Sequence, residues 1–331
     1  MTENFSIQDK KFLVTGGTGF IGRGLVRGLL HSGARVRALD NDSRGARSKL
    51  GADDDRVEII TGDIRDSDTV RRAVDGMDVV CHLAYINGTE FFYTKPDIIL
   101  EVAVKGMMNV LDACIAKGVR SIFLASSSEV YQTPPMVPTD ENVPLSIPDV
   151  LNPRYSYGGG KIISELLLVN YGRNYLDRAV IFRPHNVYGP DMGWEHVIPQ
   201  FALRLKKLAA EMSGVIDFPI QGTGDETRAF IYIDDFVRAL LSVIEKGEHL
   251  NVYHIGTSQE ISMKKLAEMT ARCFDREIRI IQGQLMQGST PRRCPDVSKL
   301  TKLGFTPKID LVAGLAKTVA WYQKNSHSER S

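Results

Sequence analysis

The stretch Thr15-Gly16-Gly17-Thr18-Gly19-Phe20-Ile21-Gly22 decides the fold of this chain. It follows an apolar strand pattern at residues 11–15 and opens a segment with helical spacing at 25–31, after which a second strand pattern covers 35–39. This order of strand, glycine turn, helix and strand predicts a βαβ unit. The missing side chains let the backbone approach a pyrophosphate, and N–H groups at a helix start favour such an anion. A strand-to-helix turn without a ligand is the alternative interpretation.

Asp40 ends the second predicted strand, where a carboxylate can accept hydrogen bonds from the ribose hydroxyls of adenosine. A carboxylate there repels a ribose phosphate, so the sequence predicts NAD rather than NADP, although Arg44 and Arg47 nearby weaken that preference. Asp63 has two equal interpretations, a contact with adenine or the cap of a helix that begins near Ser67. The predicted cofactor contacts in the glycine turn and after the strands are Gly16, Gly19, Phe20, Ile21, Gly22, Asp40, Asn41, Asp63, Ile64, Leu83 and Ala84.

Short apolar strands continue to alternate with helical segments after the glycine turn. Strands are predicted at 57–60, 78–82, 121–125 and 178–182, and helices at 67–75, 98–117 and 161–175. The alternation predicts an α/β fold, a doubly wound parallel sheet of the Rossmann type. After residue 190 the pattern changes to a helix at 197–212, a strand and helix within 230–246, and short mixed segments, so we expect a smaller C-terminal α/β substrate-binding lobe.

Each of the two predicted domains is built from more than one segment of the chain. Residues 1–190 form the cofactor domain, which also receives 230–257 because Tyr253-His254-Ile255-Gly256 resembles another core strand. The lobe then comprises 191–229 and 258–331.

Composition excludes several functional classes. The 41 Lys and Arg residues balance 40 Asp and Glu residues, so no net field favours a nucleic acid. No apolar run approaches the ~20 residues needed to span a bilayer, and we expect a cytoplasmic protein without membrane contact. The four cysteines are far apart and lack the spacing of a zinc site, so they are interpreted as buried thiols and no metal is predicted.

Tyr157 and Lys161 are the predicted proton-handling pair. They lie four residues apart, one helical turn, so both side chains can point into one cleft. Lowering the pKa of a phenol from about 10 toward neutrality takes nearby positive charge, which Lys161 and an oxidised nicotinamide can supply. The alternative is a solvated lysine beside a core tyrosine. Ser126-Ser127-Ser128-Glu129 follows the strand at 121–125 and offers hydroxyls to hold a reacting alcohol beside the tyrosine, although such a cluster alone is an ordinary polar turn.

Several motifs together resemble the extended short-chain dehydrogenase/reductase family, closest to its NAD-dependent nucleotide-sugar epimerases, dehydratases and decarboxylases. They lie at residues 15–22, 126–131, 157–161 and 183–190, and the segments 222–235 and 292–296 resemble the nucleotide-sugar-binding motifs of that family. The resemblance implies that NAD oxidises sugar C4 while Tyr157 removes the hydroxyl proton, Ser127 binds that oxygen and Lys161 binds the nicotinamide ribose. It implies Pro184 as a further cofactor contact. The substrate contacts expected from it and from the pocket are Tyr85, Asn186, Val197, Arg228, Arg293 and, as a helper, Arg292.

Three residues depart from the family pattern. Tyr85 stands where a small residue is common, Ala103 where an asparagine often supports the cofactor, and Gln132 where glycine is usual. The segment 191–196 is also unusual, and its Trp, Glu and His side chains are either sugar contacts or part of a bland surface loop.

Glu129 bears on which reaction follows C4 oxidation. Ser128-Glu129 resembles the Ser-Glu pair of UDP-glucuronate decarboxylases and some hexosamine dehydratases, whereas 4,6-dehydratases usually carry Asp-Glu. A carboxylate there can abstract a C5 proton or assist loss of a substituent, so a Glu129-assisted lyase ranks slightly above a plain 4-epimerase. A 4-keto-sugar reductase and a non-catalytic dinucleotide-sensing regulator are the other hypotheses. The expected partners are a nucleotide-diphosphate sugar, most simply a UDP-sugar, and a second copy of the chain packed through the helices at 98–117 and 161–175.

Overall fold

The computed structural model describes residues 5–50, 54–284 and 290–325. The outer limits predicted for the two domains, residues 1 and 331, therefore lie outside the described residues. The strands in chain order are β1 (Lys11–Thr15), β2 (Arg35–Asp40), β3 (Val57–Thr61), β4 (Val79–His82), β5 (Ser121–Ala125), β6 (Arg178–Pro184), β7 (Val187–Tyr188), β8 (Ile216–Ile220), β9 (Thr227–Ala229), β10 (Ile231–Tyr232), β11 (Asn251–Ile255), β12 (Glu260–Ser262), β13 (Ile278–Gln282) and β14 (Arg292–Arg293).

Seven parallel strands form the central sheet in the order β11-β6-β5-β4-β1-β2-β3. The chain moves outward from β1 to β3, then returns to place β4, β5 and β6 on the other side of β1. The predicted doubly wound α/β fold is thus confirmed. β11 contains most of the Tyr253–Gly256 segment and pairs with β6 at the sheet edge. Assignment of the remaining chain to two domains stays a prediction.

The helices cover both faces of this sheet. In chain order they are α1 (Phe20–His31), α2 (Ser67–Val74), α3 (Thr89–Thr94), α4 (Pro96–Glu101), α5 (Met107–Lys117), α6 (Ser156–Tyr175), α7 (Val197–Glu211), α8 (Ile233–Lys246), α9 (Met263–Arg272), α10 (Ser298–Lys302) and α11 (Leu311–Lys324). The single helix expected at 98–117 is instead α4 and α5 joined by a π-helical turn, Val102–Gly106. The helix expected from Lys161 begins five residues earlier, at Ser156, and so includes Tyr157.

Alternate residues of β1 enter two different cores. Phe12 and Val14 pack with α1 and α8 on one face, whereas Leu13 packs on the other face with side chains from α2 and α5. A strand buried on both faces is nearly all apolar, which explains why β1 and β4 lack a polar alternation. The first core continues through Phe201 and Phe218 into the C-terminal segments, so one apolar interior supports both sides of the site.

The C-terminal segments form three small sheets: β7 with β10, β8 with β13, and β9 between β12 and β14. The parallel pairing of β14 with β9 places Arg293 beside Arg228. This arrangement sets basic side chains near the carboxyl ends of the central strands, where open α/β sheets bind ligands.

Candidate active site

A cavity of about 440 Å³ opens at the carboxyl ends of the central strands. Every residue predicted to bind the cofactor or to take part in catalysis lines it. They are Gly16, Gly19, Phe20, Ile21, Gly22, Asp40, Asn41, Asp63, Ile64, Leu83, Ala84, Ser127, Ser128, Glu129, Tyr157, Lys161 and Pro184. The contacts of these residues with a ligand stay predictions, but the fold gathers them around one space.

The glycine turn is shaped as a pyrophosphate site requires. Gly16 has a φ of +71°, and a Cβ on Gly22 would collide with the carbonyl oxygen of Gly16. Helix α1 starts after Gly19 with no side-chain cap and no acidic residue in its first turn. Its first N–H groups therefore face the cavity without a carboxylate in competition, and they suit the phosphates of a dinucleotide.

Asp40 and Asp63 mark the end of the cavity where an adenosine would lie. Asp40 accepts hydrogen bonds from the backbone N–H groups of Thr18 and Asp42, both at 3.0 Å, which fixes its carboxylate at the end of β2. Asp63 pairs with Arg65 at 2.9 Å, and this pairing lowers the pKa of Asp63 to about 2. The helix-cap interpretation of Asp63 is wrong, because Asp66 caps α2.

The unusual segment 191–196 borders the same end of the cavity. Asp191 pairs with Arg23 at 2.7 Å and with Lys49 at 2.6 Å, and Glu195 pairs with Arg44 at 3.3 Å. Arg44 is the residue whose positive charge made the prediction of NAD over NADP less clear, and in the structure this charge is paired with the carboxylate of Glu195. Glu195 and the adjacent His line the cavity, whereas Trp194 is buried against aromatic rings of α11 and is no candidate for a sugar contact. Sequence reasoning missed Arg23 and Lys49, since their role depends on a tertiary contact.

Tyr157 lies in the middle of the cavity wall. Its ring packs against Phe92, with centroids 5.0 Å apart, and against Tyr85 at 5.1 Å. Burial raises the pKa of Tyr157 to about 12, and a hydrogen bond with Ser127 opposes that rise. The lowering of the phenol pKa by Lys161 expected from the sequence is not found, because Lys161 Nζ donates instead to the carbonyl oxygen of Ala125 at 2.7 Å.

Glu129 and Arg293 meet in the same cavity as Tyr157. Arg293 Nη1 donates to Glu129 Oε1 at 2.5 Å, with side-chain exposures of 11% and 25%. Burial opposes ionisation of Glu129, but the charge and hydrogen bond of Arg293 hold the pKa of the Glu129 carboxyl below its usual value. Arg293 Nη2 donates to Thr290 Oγ1 at 3.2 Å, whereas Arg293 Nε is buried and has no hydrogen-bond partner among the described residues.

The remaining predicted substrate contacts divide into two groups. Tyr85 and Asn186 line the cavity, as does Arg293, whereas Val197, Arg228 and Arg292 are not among its lining residues. Arg228 donates to the carbonyl oxygen of Thr290 at 2.7 Å, and its charge acts on Glu129. Arg292 points away, because it forms a 2.5 Å pair with Glu260 and its side chain is 52% exposed. The structure gives Arg292 no place in the cavity.

The chain resembles known proteins in both sequence and fold. The model of the NAD dependent epimerase/dehydratase family matches residues 12–256. The chain belongs to this family. NAD is its cofactor, as predicted, and the chain is an enzyme of the NAD-dependent nucleotide-sugar epimerase, dehydratase and decarboxylase group.

Individual relatives divide among several reactions. The chain is 29% identical to a UDP-N-acetyl-alpha-D-glucosaminuronate decarboxylase of Bacillus cytotoxicus, over 95% of this chain and 98% of that protein. It is 30% identical to a putative UDP-glucose 4-epimerase of Methanocaldococcus jannaschii, over 96% and 99%. A dTDP-glucose 4,6-dehydratase from Streptomyces venezuelae, solved with NAD and TYD bound, superposes with a TM-score of 0.84 at 29% identity, over 95% and 97%. These similarities establish the family and leave its three reactions open.

Behind the serine cluster, this family member carries a buried ionic network. Arg183 on β6 pairs with Glu165 on α6 at 2.6 Å, with both side chains almost fully buried. Glu165 also accepts a hydrogen bond from Ser126, the residue before Ser127. Ser126 is therefore occupied by the scaffold and does not hold substrate. An arginine within the apolar strand 178–184 was the available sequence signal for this network.

Two further features of the described residues bear on the sequence predictions. No group of three or more His, Cys, Asp and Glu side chains is arranged to hold a metal ion in 5–50, 54–284 and 290–325. Within the same ranges, no helix combines the length and apolarity needed to cross a bilayer. Of the four cysteines, Cys273 is only partly buried, contrary to the interpretation of all four as buried thiols.

Proposed function

We propose that this enzyme oxidises C4 of a nucleotide-diphosphate sugar and then removes a substituent from the neighbouring C5, and that its substrate is a nucleotide-linked uronate which loses carbon dioxide. The observation that carries the proposal is the Glu129–Arg293 pair in one cavity with Ser127 and Tyr157. UDP is the expected nucleotide.

The first step uses residues shared by the family. NAD, when bound, supplies the two-electron oxidation of the C4 alcohol. Ser127 donates to or accepts from O4 and holds it beside the Tyr157 oxygen. Burial alone keeps Tyr157 protonated, and the positive charge of the oxidised nicotinamide, when NAD is bound, would favour the phenolate, which then takes the O4 proton. The uncapped start of α1 binds the pyrophosphate of the cofactor, and Asp40 accepts from its ribose hydroxyls.

Arg293 suits the carboxylate of a uronate. Arg293 lines the cavity beside Glu129, and its guanidinium is nearly buried, so water screens its charge little. Charge-assisted bonds from a planar guanidinium are the strong means of recognising a carboxylate. Arg228 adds a second positive charge near Glu129. A sugar with a neutral C6 hydroxyl gains less from these groups.

The acid–base character of the pair favours decarboxylation over dehydration. Expelling a C6 hydroxyl needs a proton donor, but position 128 is a serine and the pKa of Glu129 is held low by Arg293. A carboxyl group beside a 4-ketone needs no such donor: the C5–C6 bond breaks, carbon dioxide leaves, and the electron pair is delocalised from C5 onto O4. Ser127 and Tyr157 bind the resulting enolate oxygen, and a proton then takes the place of carbon dioxide at C5. The hydride removed in the first step would then return from the reduced cofactor to C4, which restores the alcohol and regenerates NAD.

A panel of nucleotide sugars tests the proposal. The purified enzyme is incubated without added cofactor with UDP-glucuronate, UDP-N-acetylglucosaminuronate, UDP-glucose, UDP-N-acetylglucosamine and dTDP-glucose, and products are followed by mass spectrometry and NMR. We expect a uronate to lose 44 mass units, the mass of carbon dioxide. The expected kcat is about 10 per second, the median for enzymes.

Each other outcome contradicts the proposed reaction in its own way. Loss of water identifies a dehydratase, and inversion at unchanged mass identifies a 4-epimerase. Turnover only with added NADH or NADPH identifies a reductase of 4-keto sugars. NAD binding without any turnover across the panel favours the regulatory hypothesis. Tyr157→Phe is the control that separates enzymatic from spontaneous loss of carbon dioxide.

The proposal includes a homodimer packed through α4, α5 and α6. Helix α6 packs against α4 and α5, and the outer surface of this layer carries exposed apolar side chains. They are Leu100, Val104, Ile115, Ile163 and Leu166. Sedimentation velocity of the wild type is expected to give a dimer and Leu166→Glu a monomer, whereas a monomeric wild type overturns this part.

A further inference from the structure

Lys161 rests on the ring of Tyr85. Its Nζ lies 3.7 Å from the centroid of that ring, while donating to the carbonyl oxygen of Ala125 at 2.7 Å. An ammonium over an aromatic face is attracted by the electrons of the ring, and the attraction is strongest where water is excluded.

The ring of Tyr85 is held from several sides. It meets the Tyr157 ring edge to face, at 87° between the ring planes, and its hydroxyl donates to the Tyr157 carbonyl oxygen at 3.3 Å. On the next turn of α6, a Cβ on Gly160 would collide with the Tyr85 hydroxyl and lie 2.8 Å from the Cβ of Ala103. Gly160 and Ala103 thus leave the space that Tyr85 fills.

We propose that Tyr85 is a positioning residue for Lys161: its ring keeps the buried ammonium charged and fixes it where it can donate to the nicotinamide ribose. The inference rests on the role that the family resemblance implies for Lys161, a hydrogen bond to the nicotinamide ribose.

Apart from the carbonyl oxygen of Ala125 and the ring of Tyr85, the surroundings of Lys161 supply little support for its charge. Burial lowers the pKa of Lys161 to about 7, and Glu165, one turn further along α6, is the carboxylate that opposes this. Burial also lowers the pKa of His82 on β4 to about 3, so His82 is neutral near pH 7 and neither helps nor repels the ammonium there. From α6 itself, Tyr157 faces the same space as a neutral phenol, since burial raises its pKa to about 12.

Removal of the ring is therefore expected to favour the neutral amine. Because the cation–π attraction acts only on the charged form, its loss lowers the pKa of Lys161 further. A neutral amine binds ribose hydroxyls less well than an ammonium does. NAD affinity should then decline at a lower pH in a variant without the ring.

Titration of NAD binding against pH tests this directly. Calorimetry on the full-length protein, stripped of cofactor, is carried out from about pH 5 to about pH 9 for the wild type, Tyr85→Phe and Tyr85→Leu. We expect the wild type and Tyr85→Phe to lose affinity at the same pH, and Tyr85→Leu to do so about one pH unit lower. Tyr85→Met, which also lacks the ring, replaces Tyr85→Leu if the latter does not fold.

The outcomes separate positioning from simple packing. A uniform loss of affinity at all pH values in Tyr85→Leu, with an unmoved midpoint, overturns the proposal in favour of a packing role. An equal shift in Tyr85→Phe assigns the effect to the hydroxyl and also overturns it. Since NAD binding needs no sugar, a failure of the proposed decarboxylation leaves this result unaffected.

Discussion

Arg293 donates to Glu129 across 164 positions of sequence, joining β14 to the turn that follows β5. The bond brings a basic residue of the C-terminal segments against the turn that carries Ser127, a predicted catalytic residue. Both residues line the cavity, where the guanidinium of Arg293 is nearly buried and the carboxylate of Glu129 is partly exposed. We therefore expect the Glu129–Arg293 contact to affect both which substrate binds and how fast it reacts.

Arg293→Lys tests whether the guanidinium recognises the substrate. Lysine keeps the charge but loses the planar fork that donates to both Glu129 and Thr290, so we expect kcat/KM for a uronate to fall about 10- to 100-fold. Arg292→Lys is the matched control, since Arg292 is half exposed and bound to Glu260. Steady-state kinetics should place it within about twofold of the wild type. Equal losses in both variants would restore the helper role first expected for Arg292.

Glu129→Gln separates C4 oxidation from the later step. The amide retains the shape of the side chain but leaves Arg293 without the anionic partner that positions it for the substrate carboxylate. The second step should therefore fall about 10²-fold while oxidation at C4 persists. A rapid rise in the absorbance of reduced nicotinamide, followed by slow product formation, is the expected single-turnover result. Loss of that rise would mean that Glu129 takes part in the first step.

Much of the fold could be predicted because it depends on local patterns. The glycine turn, the alternation of apolar strands with helices, and the Tyr157–Lys161 spacing are each readable over a few residues, and the sheet confirms the fold that they predict. The π-helical turn at 102–106 has no such pattern, since it depends on packing against α6.

The finer arrangement of the site depends on contacts between distant segments. Lys161 was expected to act on the Tyr157 phenol, yet its ammonium lies on Tyr85, which a pattern of residues 157–161 cannot reveal. Asp63 was considered as the cap of the helix near Ser67, but Asp66, the residue directly before Ser67, caps it. Likewise, Arg292 and Arg293 are adjacent but point to different partners, because successive residues of β14 face opposite sides.

Tyr157→Phe should abolish turnover and leave NAD bound. The hydroxyl is the group assigned to proton transfer, and its loss is expected to cost about 10²–10⁴-fold or more in kcat. The ring itself stays packed against Phe92, so the fold and the cofactor site should survive. Tyr175→Phe, at the exposed end of the same helix, is the control for kinetics and for NAD content after purification. Substantial activity in Tyr157→Phe would remove it from its assigned role.

Asp40→Asn should weaken NAD binding and relax discrimination against NADP. A charge-assisted bond to the ribose becomes a neutral one, which is expected to raise the NAD Kd about tenfold. NADP should gain relative to NAD, since the carboxylate no longer repels its phosphate. Asp42→Asn is the control, because Asp42 accepts from the Thr18 hydroxyl and does not line the cavity. Calorimetric titration of both cofactors decides the matter, and an unchanged NAD/NADP ratio would contradict the role of Asp40.

Gly160→Ala should reveal the fit between α6 and Tyr85. Alanine is a better helix former by about 1 kcal/mol, but its Cβ would collide with the Tyr85 hydroxyl and crowd Ala103. Overpacking of this kind costs about 1–3 kcal/mol, so the free energy of unfolding should fall. Gly159→Ala, whose Cβ would meet only the tip of Ile147 at 3.3 Å, should leave it unchanged or raise it.

The Tyr85→Phe background identifies the colliding atom. Without the hydroxyl, the nearest ring atom is 3.6 Å from the added Cβ, and the contact with Ala103 remains. Gly160→Ala should therefore destabilise Tyr85→Phe less than the wild type, with a coupling of about 1 kcal/mol in a double-mutant cycle measured by urea unfolding. Additive effects would show that Ala103 alone requires glycine at position 160, and that Tyr85 can move aside without cost.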